Sequence, residues 1–192
     1  MTKVVVVYHS GFGHTARLAE AVAAGAASVA GVQVSSLPVE EAEARWSELD
    51  EADAIIFGAP TYMGSVSAPF KQFMDQSSRT WVRQGWKDKL AAGFTNSASW
   101  SGDKLNTLVQ MAVFASQHGM IWTSLGLPPG FNSSTGKSTD LNRVGSYLGA
   151  MAQSNADEGA EVVPPEADRQ TARELGRRVA HTAQVFVRGL AA

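Results

Sequence analysis

A short polar loop with two glycines is the stretch of this sequence best suited to hold a phosphate group. The loop, residues 9–15, follows a run of β-branched apolar residues and precedes a segment with helical spacing of Ala and Leu. Backbone N–H groups at a helix N-terminus attract anions, and Gly11 and Gly13 allow a close approach. Ser10 and Thr15 add hydroxyl groups at the two ends. This pattern predicts a phosphate-binding loop.

Two other interpretations of the same loop remain open at this point. Gly11, Gly13 and Ala16 fit the G-x-G-x-x-A fingerprint of dinucleotide-binding proteins. The loop also fits a simple turn between a strand and a helix, with Ser10 or Thr15 as the helix N-cap. Residues further along the chain separate these alternatives.

Two later loops follow apolar runs in the same way and are suited to a flat ring. Residues 60–64 form a turn shaped by proline and glycine, and residues 96–101 combine small polar residues with Trp100. In an open parallel sheet, ligands bind beyond the carboxyl ends of the strands, where these loops would meet. One phosphate and one flat ring predict a mononucleotide, and FMN occupies this place in flavodoxin-like sheets.

The strand and helix patterns predict an α/β protein with a flavodoxin-like, five-stranded parallel sheet of order 2-1-3-4-5 and helices on both faces. A dinucleotide fold would need a further strand–helix–strand unit, which the sequence lacks. We expect one domain over residues 1–192, with an irregular insertion at about 124–165 before the last helix. The predicted strands are 4–7, 32–37, 54–58, 90–94 and 120–123. The predicted helices are 16–30, one that begins at about 68, 104–117 and about 166–190, with a partly helical stretch at 40–51.

Composition narrows the classes of partner. The net charge of −2 gives no indication of binding to nucleic acid or to a membrane surface, and no apolar run reaches spanning length. The absence of cysteine excludes disulfides, thiolate catalysis and iron–sulfur clusters. The four histidines lack metal-ligand spacing, so no metal site is predicted. We expect a soluble, cytoplasmic protein.

Taken together, several groups of residues resemble the tryptophan-repressor-binding-protein family (WrbA-like). The resemblance implies a flavodoxin-like NAD(P)H:quinone oxidoreductase with FMN, which assembles as a homodimer or homotetramer and acts on a small quinone-like acceptor. Trp81 matches a family aromatic that borders the substrate space, often across a subunit contact. Trp86 and the segment 124–165 are also expected to provide surface for subunit contacts, because they add aromatic and irregular surface that a lone domain would not need. The matching residues are 10–15, 60–64, 73–76 with Trp81, and 118–120, with 176–180 in the last helix.

The resemblance also implies the site residues, while the flavin itself carries the chemistry and no side chain is assigned as catalytic. The residues expected to bind the cofactor are Ser10, Gly11, Phe12, Gly13, His14, Thr15, Pro60, Thr61, Tyr62, Met63, Gly64, Asn96, Ser97, Ala98, Ser99, Trp100 and Ser101. The residues expected near the substrate are Phe12, Trp81, Gln117, His118 and Arg143.

The sequence departs from the family pattern in three places. Gln117 stands where the family commonly has a second histidine, and residues 97–101 replace a glycine-rich loop. The link between the second and third strands is also shorter than is common. These departures bear on the choice of substrate and on the assembly.

The segment from 124 to about 163 is expected to form part of the substrate site, because it follows the fifth strand and emerges at the carboxyl edge of the sheet. Asn142, Arg143 and Tyr147 are its candidates. The planar guanidinium of Arg143 suits a cofactor phosphate, and a solvent-facing arginine is the alternative. Lys104, at the start of a predicted helix, is expected to be solvated.

Two other functions compete with the oxidoreductase. A flavodoxin-type electron carrier would act on a protein partner, although such carriers tend to be strongly acidic and this chain is nearly neutral. A flavin-free regulatory protein would have no need of the phosphate-binding loop. Residues 130–138 end like a Walker A motif, but the first glycine is missing, so a nucleotide triphosphatase is not predicted.

Overall fold

A twisted parallel sheet forms the centre of the molecule in the computed structural model, which describes residues 1–190. A short strand pairs antiparallel with the end of the third strand and lies outside the main parallel sheet. The strands are β1 (Thr2–Tyr8), β2 (Val32–Pro38), β3 (Ala54–Tyr62), β4 (Ser65–Val66), β5 (Leu90–Ser97), β6 (Ile121–Trp122) and β7 (Ala150–Gln153).

The outer edge of β5 is paired by two separate segments of chain. β6 pairs with Leu90 and Ala91 at the start of β5, and β7 pairs with residues 94–97 at its end. Both pairings are parallel, so β6 and β7 together occupy one edge position. With that edge counted as the fifth strand, the order β2-β1-β3-β5-β6 confirms the predicted flavodoxin-like sheet. β7 lies inside the segment expected to be irregular.

Helices cover both faces of this sheet. The helices over residues 104–117 and 166–190 begin and end where the sequence predicts, because each has a single apolar stripe along one face. None of the helices within residues 1–190 is long and apolar enough to cross a membrane. The helices are α1 (His14–Ala27), α2 (Trp46–Glu51), α3 (Ala68–Gln76), α4 (Ser78–Val82), α5 (Lys104–Gln117) and α6 (Glu166–Leu190), with a 3-10 turn at Val39–Glu41.

The strands are apolar along their length because the sheet is buried on both faces. In β1, Val5 and Val7 join one core while Val4 and Val6 join the other. The first core is rich in aromatic rings. Trp86, which we expected to contribute to a subunit contact, is fully buried there, because its ring stacks on Trp46 with a centroid distance of 5.7 Å.

On the other face, α1 and α6 pack closely through two glycines. A Cβ atom on Gly176 would lie 1.9 Å from the carbonyl oxygen of Val22, and one on Gly25 would lie 1.9 Å from that of Arg173. Backbone atoms cannot rotate aside as a side chain can. The two helices therefore touch at a distance that only glycine permits.

We predict that Gly176→Ala destabilises the apoprotein by about 2 kcal/mol, since the added methyl group must push the two helices apart. Gly189→Ala in the same helix is the matched control, because a Cβ atom there meets nothing within 4 Å. The control variant should keep or slightly raise the stability, by about 0.5 kcal/mol. Urea denaturation of both variants measures the difference, and equal midpoints would contradict the close contact.

Candidate functional site

The loop between β1 and α1 contains a row of backbone N–H groups at the start of a helix. Within residues 1–190, the N–H groups of residues 11–15 donate to neither backbone nor side chain. The next N–H, that of Ala16, donates to Ser10 Oγ at 3.1 Å, which fixes the loop against the helix. Gly13 precedes the helix with φ of +87°, a left-handed conformation that suits glycine. A row of such N–H groups at the N-terminus of a helix is suited to an anion.

A cavity of about 580 Å³ opens beside this loop at the carboxyl edge of the sheet. Its walls come from the ends of β1, β3 and β5, as the parallel topology requires. Thr15 lines it and is otherwise almost fully buried. The lining residues are Ser10, Gly11, Phe12, His14, Thr15, Pro60, Thr61, Tyr62, Asn96, Ser97, Ala98, Ser154, Ala156, Asp157, Glu158 and Gly159.

The wall formed by residues 154–159 was not predicted from the sequence. It follows β7, whose pairing with β5 brings the chain to the cavity. His14 Nε2 lies 3.0 Å from the carbonyl oxygen of Glu158, and Arg17 Nε donates to that of Ala160 at 3.0 Å. These contacts join this wall, and the residue that follows it, to the first turn of α1 beside the 9–15 loop. The alternation of small residues in β7 carries too weak a strand signal to reveal it.

Six of the residues expected to bind the cofactor do not line this cavity. Met63 is fully exposed, and Trp100 turns its ring onto the guanidinium of Arg143, whose central carbon lies 4.6 Å from the ring centroid. Phe12 does line the cavity and makes an edge contact with Tyr62, at a centroid distance of 6.4 Å. The six residues outside the lining are Gly13, Met63, Gly64, Ser99, Trp100 and Ser101.

Buried hydroxyl groups hold the floor of the site. Thr61 Oγ1 lies 2.8 Å from both Thr95 Oγ1 and Thr107 Oγ1, which joins β3, β5 and α5. Ser154 Oγ donates to Asn96 Oδ1 at 3.0 Å and joins β7 to β5. Because each group is satisfied inside the protein, these contacts fix the strand ends at little cost.

Lys104 is buried beneath the loop that follows β5, with a residue exposure of 1%. The solvated position expected from the sequence is therefore wrong. Its ammonium Nζ donates to Ser97 Oγ and to the carbonyl oxygens of Ser99 and Trp100, each at 2.8 Å. Hydrogen bonds to these three acceptors replace the hydrogen bonds that the ammonium group would otherwise make with water. Burial lowers the pKa of Lys104 to about 8, against the opposing effect of Asp168.

Arg143 is held inside the protein and does not line the cavity. Its Nε and Nη2 donate to the two carboxylate oxygens of Asp168 at 2.7 and 2.8 Å, and both side chains are almost fully buried. Asp168 also accepts the N–H of Gln153 at 2.9 Å. The expected contact between Arg143 and a cofactor phosphate is replaced by this internal pair. Asn142 is likewise buried, and Tyr147 is exposed away from the lining.

The other three expected substrate residues lie together elsewhere. Trp81, Gln117 and His118 line a second cavity of about 590 Å³, which is formed by α3, α4 and α5. The two cavities share no lining residue. Trp81 is half-exposed at the second cavity, whereas His118 is buried. The structure therefore separates these residues from the loop that we expected to hold the phosphate.

The ring of His118 is neutral because burial lowers its pKa to about 4. Ser77 Oγ donates its proton to the carbonyl oxygen of Met74 at 2.6 Å, so the contact of 2.8 Å with His118 Nε2 requires an N–H on that nitrogen. Nδ1 then carries a lone pair, and it has no partner within residues 1–190. The ring packs on Trp86 at a centroid distance of 4.5 Å.

A comparison with protein-family models matches residues 2–125 to the NADPH-dependent FMN reductase family. The chain belongs to this family. Among curated relatives, flavodoxin FldP of Pseudomonas aeruginosa is 48% identical over 188 residues, covering 96% of this chain and 98% of the relative. A protein named NAD(P)H dehydrogenase (quinone), from Archaeoglobus fulgidus, is 37% identical over 206 residues, covering 96% of this chain and 98% of that protein.

Solved structures agree with this assignment. A protein described as a flavodoxin, WrbA-like protein from Agrobacterium tumefaciens superposes with a TM-score of 0.76 at 44% identity, covering 97% of this chain and 99% of that chain. These findings confirm the resemblance to WrbA-like proteins. The relatives differ in name between flavodoxin and quinone dehydrogenase, although they span nearly the same length.

We predict that Asp168→Asn destabilises the protein by about 3 kcal/mol, because it leaves the guanidinium of Arg143 buried without a counter-charge. Glu174→Gln is the matched control in the same helix, since Glu174 pairs with Arg177 at the surface. That exposed pair is worth about 0–1 kcal/mol. Thermal denaturation compares the two variants, and a mild effect of Asp168→Asn would indicate that Arg143 can turn to solvent.

Proposed function

We propose that the chain binds FMN in the first cavity and works as an NAD(P)H-dependent oxidoreductase. The row of N–H groups at residues 11–15 carries this proposal, because these donors lack acceptors within residues 1–190 and four of the five residues line the cavity. The hydroxyl of Thr15 adds a donor on the same wall. The cavity provides room for a ring between the ends of β3 and β5. FMN has one phosphate and one ring system, which matches this layout.

When bound, FMN supplies the redox chemistry by accepting a hydride from NAD(P)H and giving it to a quinone-like acceptor. The protein binds and orients the ring. Residues 60–62 and 96–98 would border its two sides, while Phe12 and Tyr62 would shape the entrance for the substrate. The relatives named NAD(P)H dehydrogenase (quinone) support this choice of donor and acceptor.

A second candidate function is that of a flavodoxin-type electron carrier for a protein partner. The relative that is 48% identical is named a flavodoxin, which favours it. The near-neutral charge of the chain gives little long-range steering toward a basic partner and favours the oxidoreductase. Both candidates require the same FMN site.

Cofactor analysis and steady-state kinetics test the proposal in two steps. Mass spectrometry of the cofactor released from the purified protein should find FMN, and FAD would contradict a site with one phosphate loop. Oxidation of NADH or NADPH with a soluble quinone should then proceed catalytically. A protein that holds FMN but fails to turn over either nicotinamide would support the carrier instead.

We also propose that the chain forms a homodimer or homotetramer in which the second cavity belongs to a subunit contact. Trp81 is half-exposed there, and Val109 and Val113 of α5 expose apolar side chains beside it. Residues Trp81, Gln117 and His118 would then act on substrate at the site of a neighbouring subunit. Light scattering at micromolar concentration should find an oligomer, whereas a monomer would remove these residues from the active site.

We predict that Thr15→Val weakens FMN binding at least about tenfold, because a hydrogen bond to a charged group is worth about 1.5–3 kcal/mol. The valine side chain has nearly the same shape, so the fold should persist. Thr182→Val is the matched control, since the hydroxyl of Thr182 bonds only its own helix and lies outside this cavity. Fluorescence titration of the apoproteins gives the dissociation constants. Equal affinities for Thr15→Val and wild type would remove Thr15 from the phosphate site.

A further inference from the structure

The loop that follows β5 is shaped by one buried amine. Lys104 Nζ donates hydrogen bonds to the carbonyl oxygens of two successive residues, Ser99 and Trp100, and to the hydroxyl oxygen of Ser97. The Ser97 hydroxyl in turn donates to the Ser99 carbonyl at 3.0 Å. The first residues of the same loop, Ser97 and Ala98, line the first cavity. The amine therefore fixes the course of a cavity wall from below.

The direction of these carbonyl groups determines where the next N–H groups point. In a planar trans peptide, the C=O and the following N–H point in opposite directions. Because the carbonyls of Ser99 and Trp100 face the buried amine, the N–H groups of Trp100 and Ser101 face away from it, on the exposed side of the loop. Neither N–H has an acceptor in the part of the chain that the structure describes.

Two further charged groups lie close to the buried amine of Lys104. Asp168 and Arg143 both act on the pKa of Lys104, the carboxylate raising it and the guanidinium lowering it, so the three groups lie near one another. Asp168 is already bound to Arg143 through both carboxylate oxygens. With one carboxylate and two cations, the buried group has a net charge of +1 when Lys104 is protonated. This charge lies directly under the loop.

We propose that Lys104 is a positioning residue that holds Ser97 and Ala98 in the wall of the FMN site and supplies a positive charge beneath that wall. This inference rests on the proposed FMN site and deepens it. Reduction of the ring adds negative charge, which a buried cation close to the ring stabilises. Lys104 thus favours FMN binding in general and reduced FMN in particular.

Protonation of Lys104 makes this effect dependent on pH. Asp168 and Arg143 are the charged groups that act on its pKa, the carboxylate raising it and the guanidinium lowering it. Binding of an anionic cofactor raises the pKa of Lys104, and by linkage the affinity for FMN falls as pH rises above about 8. Below that pH the affinity should be constant with respect to this group.

The test compares the affinity for FMN and the midpoint potential of bound FMN in the wild type and in Lys104→Met. Methionine fills a similar volume but carries neither donors nor charge. We expect the dissociation constant for oxidised FMN to rise about tenfold, and that for reduced FMN to rise about tenfold further. The second factor corresponds to a shift of about 30 mV toward negative potential for a two-electron couple.

Lys89→Met is the matched control. Lys89 Nζ also donates to two backbone carbonyls, those of Asp50 and Ala52, and burial lowers its pKa. However, it lies next to the start of β5, at the opposite end of the strand from the cavity. Lys89→Met should lose stability while keeping the wild-type affinity for FMN and the wild-type potential.

The wild type alone provides a second measurement if Lys104→Met fails to fold. Its affinity for FMN, measured from about pH 7 to about pH 9.5, should decline above about pH 8. Where Lys104→Met folds, the decline should be absent from that variant. A flat profile in the wild type, or unchanged affinity and potential in a folded Lys104→Met, would overturn the role of Lys104. If the wild type binds no FMN at any pH, the proposed function itself fails.

Discussion

Backbone hydrogen bonding along the outer edge of β5 is the constraint on which the rest of the molecule depends. A strand this deeply buried must have its N–H and C=O groups paired, and no single neighbouring segment supplies all the partners. β6 satisfies its start, and β7 satisfies its end. Because β7 must lie beside residues 94–97, the chain that follows it reaches the carboxyl edge of the sheet, forms a wall of the first cavity and then enters α6.

Sequence patterns were sufficient for the frame because each signal was local. The apolar runs of β1, β3 and β5 and the stripes of α5 and α6 lie within single elements, and they fix the order of the sheet. Partners distant in sequence could not be inferred in this way. Arg143 and Asp168 are each ordinary surface residue types, and only the fold shows that they neutralise one another inside the protein. Lys104 was misjudged for the same reason, since its acceptors are backbone oxygens that sequence composition does not reveal.

The candidate site combines local and distant parts in a similar way. The donors of residues 11–15 follow from a local motif, because a glycine-bearing turn before a helix leaves its N–H groups free. The wall of residues 154–159 depends on β7 and on contacts to His14 and Arg17. Relatives named flavodoxin and quinone dehydrogenase share nearly the full length of this chain.

The divided edge of the sheet also makes the insertion between β6 and β7 a separable surface element. Its two ends are joined where Trp122 Nε1 donates to the Leu148 carbonyl and the N–H of Leu125 donates to that of Tyr147. Midway, the backbone N–H of Asn142 donates to Thr171 of α6 and Arg143 pairs with Asp168 of the same helix, which fastens the middle of the insertion to α6. Because the entropy of closing a loop grows only slowly with its length, the stretches between these fastenings are free to lengthen, shorten or change in composition over evolution while the sheet stays intact. This surface of the protein can therefore change while the sheet and the helices beneath it stay the same.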